Sequence, residues 1–176
     1  MSAAPVHLQP SPGAQTGFVF ICPGRFEAAR GYPCAAGTGA NLARALVELA
    51  RRAPQRFPSP DRRHYVVTNA WPQVEYPALT DRSVPTEAEV LTPDNLARLA
   101  DEIAGLRSVV ACGAQAHAAV RALMARQAIG ARVACARHLS QRSVNMIAGG
   151  ATTDERIARW VDQVLAQFPE GPEARG

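Results

Sequence analysis

Gly17-Phe18-Val19-Phe20-Ile21-Cys22-Pro23-Gly24 decides the fold. Six residues with no charge among them end abruptly at a Pro-Gly pair. An apolar run of that length, bounded by turn residues, reads as a strand buried on both faces. Strands buried on both faces belong to parallel sheets covered by helices. Downstream, after a loop rich in Gly and Pro that reaches Gly39, Leu42, Ala45, Leu46 and Leu49 recur at helical spacing, with Arg44, Glu48, Arg51 and Arg52 on the other side.

The same alternation repeats to the end of the chain. His64-Tyr65-Val66-Val67-Thr68-Asn69 reads as a second strand, and residues 70–91, with Pro72, Pro77 and Pro85, as a long irregular segment of the kind that often carries function. Thr92-Pro93 opens a helix through Leu96, Leu99, Ile103 and Leu106. Ser108–Cys112 is a third strand closed by Gly113, followed by a helix through Ala116, Val120, Leu123 and Met124. A fourth strand spans about 131–136, and residues 137–150 are polar and end in glycine. Thr152 and Glu155 form a capping box for a last helix through Ile157, Trp160, Val161, Val164 and Leu165.

This order predicts an α/β fold, a three-layer αβα domain with a central four-stranded, mostly parallel sheet. The expected domain spans 17–168, between a flexible leader over 1–16 and a disordered tail over 169–176. In such folds ligands sit at the carboxyl ends of the strands. The distinctive residues cluster there: Pro23-Gly24, Asn69, Gly113 and His138 each follow one strand.

Composition narrows the class. A chain of 176 residues with 47% hydrophobic and 19% charged residues fits one soluble domain, without a membrane span or export signal, so a cytoplasmic monomer is expected. The net charge is +4, and all 19 basic residues are arginine. Arginine forks onto phosphate, which suits a nucleic-acid partner, although the codon usage of a GC-rich genome gives the same bias. Cys22, Cys34, Cys112 and Cys135 are widely spaced, with no C-x-x-C, so neither a metal, an iron–sulfur cluster nor any other cofactor is expected. Gly37-Thr38-Gly39 opens a helix and could cradle an anion, but Leu42 stands where a dinucleotide fingerprint needs Gly, and no Lys follows for a P-loop. His64 and His117 read as structural or exposed.

Four segments together resemble the uracil-DNA glycosylase superfamily. Pro23-Gly24-Arg25-Phe26-Glu27, then Gly31, Pro33, Gly39 and Leu42, is similar to its P-G-x-x-E-x-x-x-G-x-P motif and the G-x-x-L step after it. Tyr65–Asn69 is similar to its Y-[IV]-T-N segment, Val109–Ala116 to its V-x-x-L-G-x-x-A step, and His138–Ser143 stands where the family carries H-P-S-P. The resemblance covers about residues 17–168. It implies hydrolysis of a base from DNA, single- or double-stranded, with the base flipped into a pocket. Asn69 would read the base edge, His138 would donate to the base oxygen where charge develops, and Glu27 would orient or activate water. Cys22, Pro23, Gly24, Phe26 and Cys34 would line the base pocket, with backbone N–H groups near Pro23-Gly24 assisting. Ser140 would contact a phosphate, Arg142 would fill the vacated stack, and Gly113 and Gln115 would lie against DNA.

The chain also departs from that pattern. Cys22 stands where the family places a water-activating Asp or Asn, Ile21 where one branch carries Glu, and Cys34 where an aromatic normally stacks on the base. Phe26 or Tyr32 would then have to supply a ring. Leu139 and Gln141 replace prolines beside His138, which predicts a less rigid loop. Two other readings therefore stay open: a non-catalytic nucleic-acid or nucleotide-binding module, and a hydrolase of free nucleosides or nucleotides.

Overall fold

A computed structural model describes residues 5–169. Its centre is a sheet of four strands, β1 (Thr16–Phe20), β2 (Val66–Asn69), β3 (Ser108–Cys112) and β4 (Arg132–Ala136), all parallel and ordered β2-β1-β3-β4. The chain steps from β1 outward to β2, then crosses to β3 on the other side of β1. That reversal opens a crevice beyond the carboxyl ends of β1 and β3, where open α/β sheets hold their ligands.

Side-chain alternation splits the apolar residues between two layers. Phe18, Phe20, Val110 and Cys112 face α2 (Gly37–Arg52) and α8 (Thr153–Ala166), meeting Leu42, Leu46, Trp160 and Val164. Val19, Val109 and Ala111 face α5 (Pro93–Glu102) and α6 (Ala114–Ala125), meeting Leu96, Leu99, Val120 and Leu123. Both central strands are buried along their whole length, as their uninterrupted apolar sequences require. The αβα architecture expected from the sequence is the one observed. Met124, placed on the buried face of its helix by spacing, is exposed instead.

Both sheet edges are covered. Beside β4, the Gln167 side chain accepts from the Cys135 N–H and donates to the Cys135 carbonyl, both at 2.9 Å, and so imitates a neighbouring strand. Beside β2, Gln9 and Val67 exchange antiparallel backbone bonds of 2.7 and 3.0 Å. Residues 5–15 are therefore not a leader outside the domain. Proline content and weak periodicity suggested one, but an edge strap needs only a few backbone bonds and no periodicity. Residues 1–4 and all of the expected tail beyond Pro169 lie outside the described residues.

Short helices also occupy the expected loops: α1 (Arg25–Arg30), α3 (Pro77–Thr80), α4 (Glu87–Val90) and α7 (Gln141–Asn145). Each has one or two turns, too short for a hydrophobic period to register. Local capping fixes several of them: Thr86 and Glu89 cap α4 reciprocally, and Ser140 caps α7. The segment between β2 and α5 is tied to the site by Glu75, 3% exposed, whose N–H donates to the Pro23 carbonyl. Its carboxylate takes the Trp71 indole N–H and two bonds from Arg82, which also grips Glu89.

Candidate functional site

Beyond the carboxyl ends of the strands lies a cavity of about 160 Å³ lined by Phe20, Cys22, Gly24, Glu27, Cys34, Thr38, Asn69 and His138. Six of these are residues singled out in the sequence. They come from four separate segments, and the parallel sheet delivers all four to one end.

His138 is positioned from three sides. The Ser140 N–H donates to His138 Nδ1 at 3.0 Å, so Nδ1 is the unprotonated nitrogen and the neutral ring carries its proton on Nε2. Phe20 meets the imidazole edge-on, with ring centroids 5.5 Å apart. Leu139 is fully buried, and Asn41 on α2 donates to its carbonyl at 2.9 Å. Leucine thus anchors this loop through the core. Burial pushes the His138 pKa down to about 4, with Glu27 opposing weakly. The ring is therefore neutral at physiological pH, and Nε2–H has no partner among the described residues.

Asn69 closes β2 and is 2% exposed. Its Nδ2 donates to the His7 carbonyl at 3.1 Å. Its Oδ1 has no partner among the described residues, yet is not sealed from solvent. Asn69 and His138 therefore each bring an uncommitted hydrogen-bonding atom to the cavity wall.

Glu27 sits in the first turn of α1. Its Oε2 accepts from the Gly24 N–H at 3.0 Å and its Oε1 from the Ala35 N–H at 3.1 Å. The carboxylate thereby staples the loop after β1 to the loop before α2. The Gly24 N–H is spent on this staple. Beside it, α2 opens without a side-chain cap and contributes Thr38 to the wall.

The two thiols in the cavity are held in their protonated form at neutral pH. Burial, then the charges of Glu75 and Glu27, push Cys22 up to about 12, and its Sγ–H lies 3.6 Å from the Ser83 carbonyl. Burial pushes Cys34 higher still, against the pull of Arg62. Cys34 adopts a left-handed backbone (φ 53°), held by an Arg62 fork onto the carbonyls of Pro33 and Cys34. That carbonyl presses against α2 so closely that a Cβ on Gly39 would lie 2.1 Å from it.

Several expected contacts fall elsewhere. Phe26 is 51% exposed, its ring beneath the Arg25 guanidinium, and Tyr32 is 43% exposed beside Arg62, so neither lines the cavity. Pro23 is buried behind the wall, its carbonyl taken by Glu75. Gly113 is buried, its N–H donating to the Ala136 carbonyl and its carbonyl accepting from the His117 N–H, which leaves it nothing to offer DNA. It is glycine because a Cβ would strike Ile21 at 2.7 Å in a backbone with φ +99°. Gln115 is half-buried and donates to the Pro85 carbonyl. Ser140 Oγ accepts the Ser143 N–H as the cap of α7, and Arg142 stands exposed on that helix with no partner among the described residues.

Phe20 and Asn41 were not legible as site residues, and Thr38 stood out only within the Gly37-Thr38-Gly39 turn that opens a helix. Phe20 reads as core, and its signal is indirect: positions 18, 20 and 22 share one strand face, so a cavity wall at Cys22 has Phe20 beneath it. Asn41 is a fully buried amide beside Leu42, and only its partner on the distant His138 loop explains it.

No protein-family model matches the chain, and no curated protein matches it. Among the described residues, no group of His, Cys, Asp and Glu side chains could hold a metal ion, and no helix is long and apolar enough to cross a membrane.

Proposed function

We propose that this protein is a cytoplasmic enzyme of base excision that hydrolyses the N-glycosidic bond of uracil or another modified base in DNA. The observation carrying this reading is the convergence of two uncommitted groups, Asn69 Oδ1 and His138 Nε2–H, on a cavity of about 160 Å³. That volume holds roughly five waters at ~30 Å³ each, well short of the 300 Å³ or more typical of sites for whole drug-sized ligands. It suits one flat heterocycle, with sugar and phosphate left outside. The resemblance to uracil-DNA glycosylases supports the same reading.

The chemistry follows from the groups present. When the bond between base nitrogen and C1′ breaks, the electron pair leaves with the base and its charge spreads onto the ring carbonyls. A neutral Nε2–H aimed at such an oxygen stabilises the departing anion without first giving up its proton. The edge of Phe20 seats the imidazole beside the base. Glu27 keeps a spare lone pair on each carboxylate oxygen, enough to orient a water toward C1′. Water adds its hydroxyl to C1′, and its proton leaves to solvent or to the base. Arg142, exposed and uncommitted, is placed to meet phosphate or a neighbouring base.

Cleavage assays on single- and double-stranded oligonucleotides carrying uracil, hypoxanthine, xanthine or hydroxymethyluracil test this. Release of one of these bases is the expected result, and a folded protein that releases none overturns it. One observation favours a second reading, a base-binding module without turnover: Cys22 is a neutral thiol where the resembling family carries a water-activating side chain. Binding without cleavage would select that reading.

A further inference from the structure

We propose that the strap on the sheet edge is part of the base site, and that His7 is a positioning residue committing Asn69 to bases with a keto oxygen beside a ring N–H. This rests on reading the cavity as a base pocket.

An asparagine amide is a donor and an acceptor in nearly the same shape, and rotation by 180° exchanges them. A freely turning Asn69 could match a keto/N–H edge, as in uracil, or in its other orientation an amino/aza edge, as in cytosine. Selectivity requires that something break this symmetry.

The His7 carbonyl does so. It lies 3.1 Å from Asn69 Nδ2, and an amide turned by 180° would set Oδ1 against that carbonyl, two acceptors face to face in a buried site. One Nδ2 hydrogen is thereby spent, and the other, with Oδ1, remains in a fixed order.

The carbonyl in turn is held from both sides. Two residues on, Gln9 exchanges backbone bonds with Val67 and its side chain bridges to the carbonyls of Arg62 and Tyr65. On the other side, the His7 ring donates through Nε2 to Glu102 Oε1 at 2.7 Å. Glu102 Oε2 accepts from Thr68 Oγ1 and Arg98, each at 2.6 Å, and Arg98 also donates to the carbonyls of Asn69 and Ala70. Burial opposes ionisation of Glu102, but the bonds from His7 and Thr68 and the charge of Arg98 outweigh it and hold a carboxylate there. The network closes on itself: strap, α5 and β2 all meet at Asn69.

The keto/N–H edge is the one this order serves, because such a base departs as an anion delocalised onto carbonyl oxygens, where His138 waits with a donor. An amino/aza base gives a poorer anion and meets the pinned amide donor to donor.

The test uses the full chain, labelled with ¹⁵N and ¹³C, beside His7→Ala and His7→Gln, the latter keeping a side-chain donor for Glu102. The expected wild-type signature is a through-hydrogen-bond coupling between Asn69 Nδ2 and the His7 carbonyl carbon. Titration with free uracil and free cytosine, read at the Asn69 and His138 side-chain resonances, should show preference for uracil. His7→Ala should lose the coupling and about tenfold of that preference, the scale of one ordinary hydrogen bond, and His7→Gln should regain both. No coupling in the wild type overturns the proposal, as does an unchanged preference in a His7→Ala protein that has lost the coupling. If the coupling is present but neither base binds, the pin stands and the reading of the cavity as a base pocket falls.

Discussion

The Ser140 N–H and His138 Nδ1 are 3.0 Å apart, and that one bond fixes which ring nitrogen carries the proton in the neutral imidazole. With burial holding the His138 pKa at about 4, Nε2–H persists across the whole neutral range. Catalysis that uses it as a donor should not weaken as pH falls from 8 to 6, where an ordinary histidine would gain charge. Single-turnover rates should stay level over that range as far as this group is concerned, and change only as pH approaches 4. His138→Ala should lower the rate by about 10²–10³, the usual loss for one preorganised donor. A rate that tracks a group titrating between 6 and 7, and loses that dependence in His138→Ala, would mean that the imidazole works in its charged form.

His138 also links folding to pH. Its folded pKa, about 4, lies below the ordinary 6.5, so between these values the unfolded chain binds more protons. Its contribution is fully present above pH 6.5 and is lost as pH falls toward 4. At most this amounts to about 3–4 kcal/mol, from ~1.4 kcal/mol per pKa unit. His138→Gln should therefore flatten the urea midpoint between pH 6.5 and 4. An equally steep dependence in the variant would assign it to other groups.

A second acid-sensitive element is separable from the first. The bonds from Arg82 hold Glu75 and Glu89 down to about 2. Stability drawn from these carboxylates is present above about 4.5 and declines as pH falls to 2. Glu75→Gln should flatten the stability profile in that lower window only, leaving the interval between 6.5 and 4.5 as in the wild type. It should also loosen the loop after β1, seen as faster hydrogen exchange at the Glu75 amide that binds the Pro23 carbonyl.

The layers were legible in the sequence because both central strands are apolar on two faces and each helix carries one apolar stripe, patterns that burial alone dictates. The site was legible in part for a related reason. A parallel sheet sends the ends of all its strands to one side, so Asn69 and His138, each following a strand, had to be neighbours of Cys22 and Gly24. What remained hidden depends on contacts that leave no period. The strap at Gln9 is two backbone bonds, which any residue can make. Glu27 read as a carboxylate holding water; that its oxygens also staple two loops is something no spacing reveals. Phe26 was expected as a pocket ring because Cys34 stands where the resembling family carries the stacking aromatic. The short helix α1, invisible to periodicity, carries it to the surface.

Gly39 sets local propensity against packing. Replacing a helical glycine by alanine ordinarily stabilises by about 1 kcal/mol. Here the new Cβ would lie 2.1 Å from the Cys34 carbonyl, itself gripped by Arg62. The clash is with backbone, and overpacking costs about 1–3 kcal/mol or more. Gly39→Ala should therefore lower stability despite the better helix former, and should weaken base binding by moving Cys34. Gly37→Ala, on the same turn with open space around it, should be neutral or stabilising in the same thermal melts.

The role of Cys22 is decided by its protonation. A thiol held near 12 is about 10⁻⁴ ionised at pH 8, against roughly a quarter for an ordinary cysteine near 8.5. Alkylation by iodoacetamide at pH 8 should therefore be slower at Cys22 by on the order of 10³ than at a cysteine in an unstructured peptide, read by mass spectrometry of the Cys22 peptide. A group so rarely ionised cannot take a proton from water at a useful rate. Cys22→Ser should then leave single-turnover cleavage within about threefold of the wild type, since it removes one weak donor to Ser83 and no base. Glu27→Gln should behave oppositely. It sets an amide donor against the N–H of Gly24 or Ala35, opens the staple between the two loops, and removes the carboxylate proposed to orient water. Loss of cleavage in Cys22→Ser with full cleavage in Glu27→Gln would reverse these assignments and place the water on the thiol side of the cavity.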